Sequence, residues 1–563
     1  MVSAGAECAA GNGGSHAVNR GQRSEVRGQK SEVRGLCLDH HPDLRRQGSR
    51  RRWRQRWSTI LVVFCLVVSA SAQRQVSFPP AESPPPPPVK EPPRTQTSGE
   101  ETDILLDSGP TMRKTQDRTP PPPTTLTVMY KLKYGSELEY VHADGRVQKF
   151  EQWKSYPSDA HTLVSLTNHR LDDGNNYQYA EMALAHGPFD PLDIPILFMA
   201  GDYEFVFTDD EIKHLRDYLI EGGTILFNAA RGRDEFSHSV VREARRLFPE
   251  KSFMRLPPDH PIYNTRYRLK KVLTMIGGVR SMSPPEIYAI DIGTRAAVIL
   301  APVGMGASWS DTEYHPAGKH LVGESARRLG VNLVAYALGV TAYGRFLAQE
   351  FPIYEGSSEV GDVFRFALVQ YSGSWDVNPA IQTSVQIALN DNTGIAVDYA
   401  PHIVRLDDPR LMNYPLSFMT GHYDFELTPE EISNLAAYLR RGGVLVASAA
   451  GGLSPFDKAF RREIKKVIPD AGLIPLPPSH PLFLSGWNAI HRVRYTAPVL
   501  RDHPGLVTPE LHAVFIQNRP AVIYSPWDLL SGVNRESNVY AKGVSDDDAT
   551  RLLINTLTYL LSH

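Results

Sequence analysis

Residues 196–261 read ILFMAGDYEFVFTDDEIKHLRDYLIEGGTILFNAARG…LPPDHP, and residues 416–481 read LSFMTGHYDFELTPEEISNLAAYLRRGGVLVASAAGG…LPPSHP. The two stretches align without a gap, with Gly201 on Gly421 and His260 on His480, an offset of 220. Unrelated segments do not keep glycine, proline and charge positions in step over such a length. The chain therefore contains a duplicated domain.

The residue pattern of each copy predicts a strand, a helix and a second strand, joined by short turns. Apolar runs at 194–199 and 224–227, and at 415–419 and 444–447, predict the strands. Thr208 with Glu211, and Thr428 with Glu431, predict a capping box at the start of each helix. A glycine pair ends each helix, because glycine tolerates the left-handed conformation that follows a helix. This βαβ unit predicts a parallel sheet with helices on its faces.

The composition of the 563-residue chain is typical of a globular protein of several domains, with 42% hydrophobic residues. The formal net charge of -2 gives no reason to expect nucleic acid or an acidic membrane as a partner. Cys8, Cys37 and Cys65 all precede the repeats. The repeated part therefore has no disulfide framework, cysteine-ligated metal or cysteine nucleophile.

The region before the repeats divides into three segments. Residues 1–57 predict a disordered basic leader, which is either low-complexity sequence or the product of a start codon assigned too early. Residues 58–72 contain the apolar run ILVVFCLVV and Ala-Ser-Ala, which indicates a cleaved signal peptide or, alternatively, an uncleaved signal anchor. Residues 73–124 are rich in proline and predict a disordered linker. The remainder is expected outside the cytoplasm, in the periplasm or cell envelope, free or anchored to the inner membrane.

Two folded domains are expected, at 125–342 and 362–563, with a linker at 343–361. Alternating apolar residues predict an opening strand at 126–132 in the first domain and at 364–369 in the second. The C-terminal thirds also repeat, with Ala297 matching Ala521 and Asn332 matching Asn555.

The repeated motifs resemble the DUF4159 family, an uncharacterised bacterial domain. They are the loops GDYEF and GHYDF, Thr-x-x-Glu, Leu-x-x-Tyr-Leu-x-x-Gly-Gly and the x-His-Pro segment. The resemblance covers about 190–340 and 362–560, and the second copy is the more typical. The family is similar to the class I glutamine amidotransferase-like superfamily, including its ThuA-like group. That similarity implies two tandem α/β domains, each a flavodoxin-like, doubly wound parallel sheet.

In active amidotransferases a cysteine nucleophile occupies the sharp turn after the strand that follows the helix. By this resemblance, Ala230 and Ala450 occupy about that position here. Alanine has no nucleophilic atom, so glutaminase or protease chemistry by that route is excluded in both copies.

Ligands of open α/β sheets usually bind beyond the carboxyl ends of the strands. The loops expected there supply the candidate pocket residues, which are Asp202, Tyr203, Glu204, Arg231, His260, His422, Tyr423, Asp424, His480 and Trp527. One hypothesis is a hydrolase or metal site at His422, Asp424 and His480. The alternative is that His260 and His480 hold the Leu-Pro-Pro-x-His-Pro turn by hydrogen bonds. No catalytic residue, metal site or cofactor is assigned.

Two functions remain open on the sequence. The first is a non-catalytic binding module for a small polar ligand, a glycan or a cell-envelope protein. The second is a ThuA-like hydrolase or metal-dependent enzyme with its site in 362–563.

Overall fold

The computed structural model describes residues 125–142, 144–315, 317–347, 363–378, 380–484, 489–534 and 539–562. The predicted leader (1–57), apolar segment (58–72), proline-rich segment (73–124) and most of the linker lie outside these residues. Within the described ranges, no helix is both long enough and apolar enough to cross a membrane.

The first domain is built from strands β1 (Thr125–Lys133), β2 (Glu137–Val141), β3 (Val147–Glu151), β4 (Asn176–Ala183), β5 (Ile196–Gly201), β6 (Thr224–Ala229), β7 (Met254–Arg255), β8 (Val272–Ile276), β9 (Val279–Ser283), β10 (Tyr288–Ile292), β11 (Arg295–Ala301) and β12 (Lys319–Leu321). Its α-helices are α1 (Asp159–Leu171), α2 (Asp209–Ile220), α3 (Asp234–Leu247), α4 (Gly306–Trp309) and α5 (Glu324–Leu347). Helix α5 continues into the segment expected to be the linker.

The second domain is built from strands β13 (Phe366–Gln370), β14 (Ile403–Arg405), β15 (Leu416–Gly421), β16 (Val444–Ala449), β17 (Ile474–Pro475), β18 (His512–Ile516) and β19 (Arg519–Ser525). Its α-helices are α6 (Ile381–Thr393), α7 (Pro429–Arg440), α8 (Ser454–Val467), α9 (Pro481–Leu484), α10 (Ala497–Asp502), α11 (Leu530–Val533) and α12 (Asp546–Ser562).

The two main sheets have the same topology. Their strand orders are β4-β1-β5-β6-β11-β10-β7 and β14-β13-β15-β16-β19-β18-β17. The first five strands of each sheet pair in parallel. Numbered along the chain, they follow the order 2-1-3-4-5 of flavodoxin-like sheets. The predicted fold class and the tandem repeat are therefore confirmed.

The last three strands of each sheet pair antiparallel with one another, which the sequence interpretation did not include. A two-residue turn joins β10 to β11, and another joins β18 to β19, with Gln517 and Asn518 at φ of 51° and 63°. Such a turn has no room for a crossover helix, so the joined strands must pair antiparallel.

Helices cover both faces of each sheet. In the first domain, α1 and α5 bury Leu163 and Leu333 on one face, while α2 and α3 bury Leu215 and Val240 on the other. The second domain repeats this arrangement with α6 and α12 on one face and α7 and α8 on the other. Each sheet therefore has a core on both sides, which leaves its carboxyl edge as the place where loops can form a site.

The predicted helix signals are present in both copies. Thr208 accepts a hydrogen bond from the Glu211 amide, and the Glu211 carboxylate accepts one from the Thr208 amide. Thr428 and Glu431 form the same capping box. Gly222 has φ of 120°, where a side chain would be strained.

A glycine at the end of β5 and of β15 allows a tyrosine to reach the sheet edge. The Tyr371 hydroxyl donates to the Thr420 carbonyl at 3.0 Å, and Tyr134 does the same with Ala200. A Cβ on Gly421 would overlap the Tyr371 hydroxyl and would lie 2.8 Å from the Phe456 ring. The first loop of each candidate site therefore depends on this glycine.

We expect Gly421→Ala to destabilise the protein by about 1–3 kcal/mol, because two buried rings would have to move. Urea unfolding followed by circular dichroism measures the change. The matched control is Gly472→Ala, where the nearest atom would be 3.9 Å away. An equal effect of the two substitutions would contradict this account of the glycine.

Candidate functional site

A cavity of about 990 Å³ lies at the carboxyl edge of the first domain's sheet. Its floor includes Tyr134 after β1, Asp202 and Tyr203 after β5, and Arg231 after β6. The β2–β3 hairpin supplies another wall through residues 148–151. Three of the predicted pocket residues, Asp202, Tyr203 and Arg231, therefore line one cavity, and its size suits a small-molecule ligand.

Asp202 is held rigidly at the base of this cavity. Its side chain is 1% exposed and accepts hydrogen bonds from the Ser155 hydroxyl and the Arg231 amide, both at 2.9 Å. The Arg231 guanidinium lies 3.3 Å from the same carboxylate. A buried carboxylate is stable only with such partners, so Asp202 and Arg231 form one preorganised polar group.

Every cation that lines the cavity is paired with a carboxylate. Lys133 pairs with Glu181, Lys149 with Glu137 and Glu139, Lys154 with Glu151, and Arg231 with Asp202. The cavity therefore offers many hydrogen-bonding groups with little excess charge.

Aromatic rings form another part of the cavity wall. The Phe150 ring on the hairpin lies 5.7 Å from the Tyr203 ring, and Tyr203 also lies below the Arg233 guanidinium at 5.6 Å. Trp153 is 5% exposed and has Lys133 and Lys154 over its ring. The cavity thus combines flat apolar surfaces with polar groups.

A buried ion pair lies behind the cavity, and the sequence interpretation missed it. Lys131 on β1 contacts Asp159 at the start of α1, and both side chains are 1% exposed. Lys131 pairs with Phe198 in the first sheet, and Leu368 pairs with Phe418 in the second. Lys131 and Leu368 therefore occupy equivalent positions. A lysine in an apolar strand, at a position where the other copy has leucine, is the signal that could have identified it.

Three other predicted residues meet at the interface between the domains. His422 and Tyr423, in the loop after β15, both reach Asp291 on β10 of the first domain. The His422 Nδ1 and the Tyr423 hydroxyl each lie 2.8 Å from the Asp291 Oδ2, and both donate to that carboxylate. His260 is the third member and lies close enough to interact electrostatically with Asp291 and His422. This interdomain cluster comprises Asp291, His422, Tyr423 and His260.

Burial and charge set the protonation states in the interdomain cluster. Burial disfavours the Asp291 carboxylate, but His422, His260 and Tyr423 outweigh that effect and lower its pKa. Burial lowers the pKa of His260 from 6.5 to about 4. Burial and the Asp291 charge raise the pKa of Tyr423 well above its usual value, so Tyr423 stays a donor.

Asp291 is a residue that the sequence interpretation did not single out. It occupies the fourth position of β10, where β18 of the second copy has Phe515. The His480 ring lies 6.1 Å from the Phe515 ring. An acidic residue at an apolar strand position, in one copy only, is the signal that could have drawn attention to it.

His260 and His480 make the turn contact expected of the structural alternative. Each Nδ1 accepts a backbone hydrogen bond at 3.2 Å, from Ile262 in the first copy and from Leu482 in the second. The contact stabilises the turn that follows Leu-Pro-Pro.

The remaining predicted residues lie apart from both groups. Asp424 is 67% exposed and pairs with Arg462 at 3.0 Å. Glu204 is exposed, and its carbonyl accepts from Gln152. Trp527 donates to Glu510 and packs against Tyr495. The ten predicted residues therefore separate into three in the cavity, three in the interdomain cluster, His480 in its turn, and three with other local partners.

The residues proposed for a hydrolase or metal site in the second domain do not converge on one site. His422 is 4% exposed and directed at Asp291, whereas Asp424 is directed at Arg462. Throughout the described ranges, no group of three or more His, Cys, Asp or Glu side chains could hold a metal ion. The turn residues Ala230 and Ala450 are buried.

The fold and these two sites define a tandem α/β protein of two flavodoxin-like domains. Residues 138–338 and 365–561 match the domain of unknown function DUF4159, which is more than half of the chain. The chain therefore belongs to the DUF4159 family. In the first copy the match begins at 138, well before residue 190, where the sequence interpretation placed its start.

The comparison with curated proteins found no match. Among solved structures, the chain is similar to the "Cytoplasmic Protein STM3548 from Salmonella typhimurium" at 11% identity. That similarity covers 37% of this chain and 98% of the other, with a TM-score of 0.20.

We expect Asp291→Ala to destabilise the protein by about 2–4 kcal/mol. The substitution leaves a buried imidazole and a buried hydroxyl without their acceptor. Chemical denaturation of the full chain measures the loss. Asp424→Ala is the matched control, since it removes an exposed pair and should cost about 0.5 kcal/mol or less. Similar losses in both variants would contradict the role given to Asp291.

We also expect stability to fall as pH is lowered from 6.5 to 4. In this window the unfolded chain binds a proton at His260 that the folded chain does not, because the folded pKa is about 4. The difference between the pKa of His260 in the unfolded chain, 6.5, and in the folded chain, about 4, corresponds to about 3 kcal/mol of unfolding free energy. The Asp291 contribution is lost only below its usual pKa of 3.8, outside this window.

Urea unfolding at pH 7, 5.5 and 4 tests this pH dependence. His260→Asn keeps an acceptor for the turn. It should lower the number of protons taken up on unfolding by up to about one, which makes the unfolding free energy less dependent on pH. His238→Asn, at an exposed position, should leave it unchanged. If the unfolding free energy of His260→Asn changed with pH as in the unaltered protein, His260 would not be the source of the pH dependence.

Proposed function

We propose that this chain is a non-catalytic binding protein whose first domain takes a small, uncharged, hydroxyl-rich ligand such as a sugar. The observation that carries the proposal is the pairing of every cation that lines the 990 Å³ cavity. An anionic ligand would find no cation there without a carboxylate partner. A ligand with hydroxyl groups can hydrogen-bond to paired ions without separating them.

The aromatic wall supports the same class of ligand. A sugar has an apolar face of C–H groups and an edge of hydroxyls. Phe150 and Tyr203 offer apolar surface, and the Asp202–Arg231 group offers an acceptor and donors beside it. Pockets that recognise small molecules commonly combine apolar walls with a few fixed polar groups.

The proposed scaffold is a degenerate glutamine amidotransferase-like, ThuA-like domain. Support comes from the 2-1-3-4-5 strand order and from alanine at 230 and 450, about where such enzymes have their nucleophile. A fold can persist while its chemistry is lost.

A hydrolase in the second domain is the alternative, and it has less support. Its two strongest candidates have other partners, with His422 bonded to Asp291 and Asp424 paired with Arg462. The polar atoms that a catalytic site would use are therefore engaged elsewhere in the structure.

The proposed location is the periplasm or cell envelope, where a sugar-binding protein meets its ligands. The basic run before residue 58, the apolar run within 58–72 and the small residues after it support export. Residues 73–124 would then separate the binding domains from the cleavage site or membrane.

Titration calorimetry of the full chain against neutral mono- and disaccharides tests the ligand class. We expect Tyr203→Ala and Phe150→Ala each to weaken binding about tenfold, because each removes a ring worth roughly 1 kcal/mol or more. The control is Met282→Ala, which removes an exposed side chain from the β8–β9 hairpin and should bind normally.

Binding of phosphorylated or acidic sugars alone would contradict the uncharged class. Failure of every neutral sugar to bind would overturn the proposal. If the alanine variants bound as tightly as the unaltered protein, the ligand would lie elsewhere.

A further inference from the structure

A second cavity, of about 550 Å³, lies between the two domains. One wall is the segment 258–270 of the first domain. The other combines the turn after β16, through Gly451 and Leu453, with α10 and Lys542 of the second domain. We call this cavity the interdomain cleft. It lies at the carboxyl edge of the second sheet, where open α/β sheets bind ligands.

The interdomain cleft carries an excess of positive charge. Five cations line it, namely Arg266, Arg268, Lys270, Arg501 and Lys542. Two carboxylates, Asp259 and Asp502, line it with them. The whole chain has a formal net charge of -2, so this concentration of cations is a local property.

Most of this charge has no carboxylate partner. Arg268 and Lys542 share Asp502, each at 3.0 Å. Arg266 donates to a backbone carbonyl instead. The structure pairs neither Lys270 nor Arg501 with a carboxylate of the described residues. The Asp259 carboxylate is engaged by the Ser454 amide at the start of α8.

The electrostatics of Asp502 reflect the same excess. Burial favours its neutral form, yet Lys542, Arg268 and Arg501 lower its pKa. One carboxylate thus faces three cations, two of which already contact it. Like charges so arranged repel one another unless an anion is present.

The sequence pattern of the first wall fits a binding surface. Along Arg-Tyr-Arg-Leu-Lys (266–270), the cations are exposed, while Leu269 is 7% exposed and Tyr267 packs against the core. The Leu269 amide donates a hydrogen bond to the Tyr263 carbonyl. In the second copy the Ile490 amide donates the same bond to the Phe483 carbonyl, so Leu269 and Ile490 are equivalent. On that equivalence, Ala489 stands where the first copy has Arg268. At this position only the first copy has a cation.

We propose that the interdomain cleft is a binding site for a small polyanion that carries at least two phosphate or carboxylate groups. Arg266, Arg268 and Lys270 bind it from the first domain, and Arg501 and Lys542 from the second. Guanidinium groups suit such oxyanions, because they can donate two parallel hydrogen bonds. A ligand in this position bridges the domains and strengthens their contact. This proposal is independent of the sugar site, which lies in another cavity.

The test uses the full chain with sodium pyrophosphate and citrate as probes, in calorimetry and in thermal unfolding at fixed ionic strength. We expect at least one probe to bind and to raise Tm, because it stabilises the folded state by mass action. The double variant Lys270→Gln/Arg501→Gln should bind at least tenfold more weakly. Without ligand, Tm should stay the same or rise slightly, because the substitutions remove two cations from a cluster of like charges and break no ion pair.

The matched control is Arg440→Gln/Arg441→Gln, which removes the same charge at exposed positions outside the cleft. Normal binding in this control and weak binding in the cleft variant support the site. Equal weakening in both would show a non-specific charge effect and overturn the proposal. The proposal would also be overturned if neither probe bound, or if only long polyanions such as heparin did.

Discussion

The buried Asp291 carboxylate is the most demanding of the contacts that join the two domains. A buried carboxylate is costly unless donors satisfy it, and two of its donors, His422 and Tyr423, belong to the other domain. This contact fixes the loop after β15 against β10. The carboxyl edge of the second sheet therefore faces the first domain, while the corresponding edge of the first sheet forms the cavity beneath the β2–β3 hairpin.

The two copies share a scaffold and differ in a few buried positions that determine what each edge can do. Lys131 replaces the Leu368 of the other copy and brings an ion pair with Asp159 behind the cavity. Asp291 replaces Phe515 and creates the interdomain contact. Neither change affects strand order or helix capping, because both occur at the ends or faces of strands whose pairing is backbone-based. The two copies have therefore diverged at these buried positions without a change of fold.

The sequence predicted the features that local rules control. Capping boxes, glycine helix ends and βαβ connections depend on residues near in sequence, so the parallel core and its duplication could be read directly. The antiparallel edge was missed although its hairpin turns, at Gly293 and at Asn518, are also local features. The outermost strands, β7 and β17, are only two residues long and have no pattern of their own. The candidate site was predicted in part. Asp202, Tyr203 and Arg231 share a cavity, but His422 and Tyr423 contact a residue of the other domain, which reasoning about one sheet at a time cannot show.

Overall charge is a weak guide to the ligands of such a protein, because pairing decides what a cavity presents. In the first domain's cavity, Lys133, Lys154 and Arg231 each have a carboxylate partner, so these cations contribute hydrogen bonds and little net field. In the interdomain cleft, two cations share one carboxylate and others have none. A net charge of -2 averages over both. The two proposals therefore differ because the pairing differs: a neutral ligand is proposed where every cation is paired, and an anion where most cations are not.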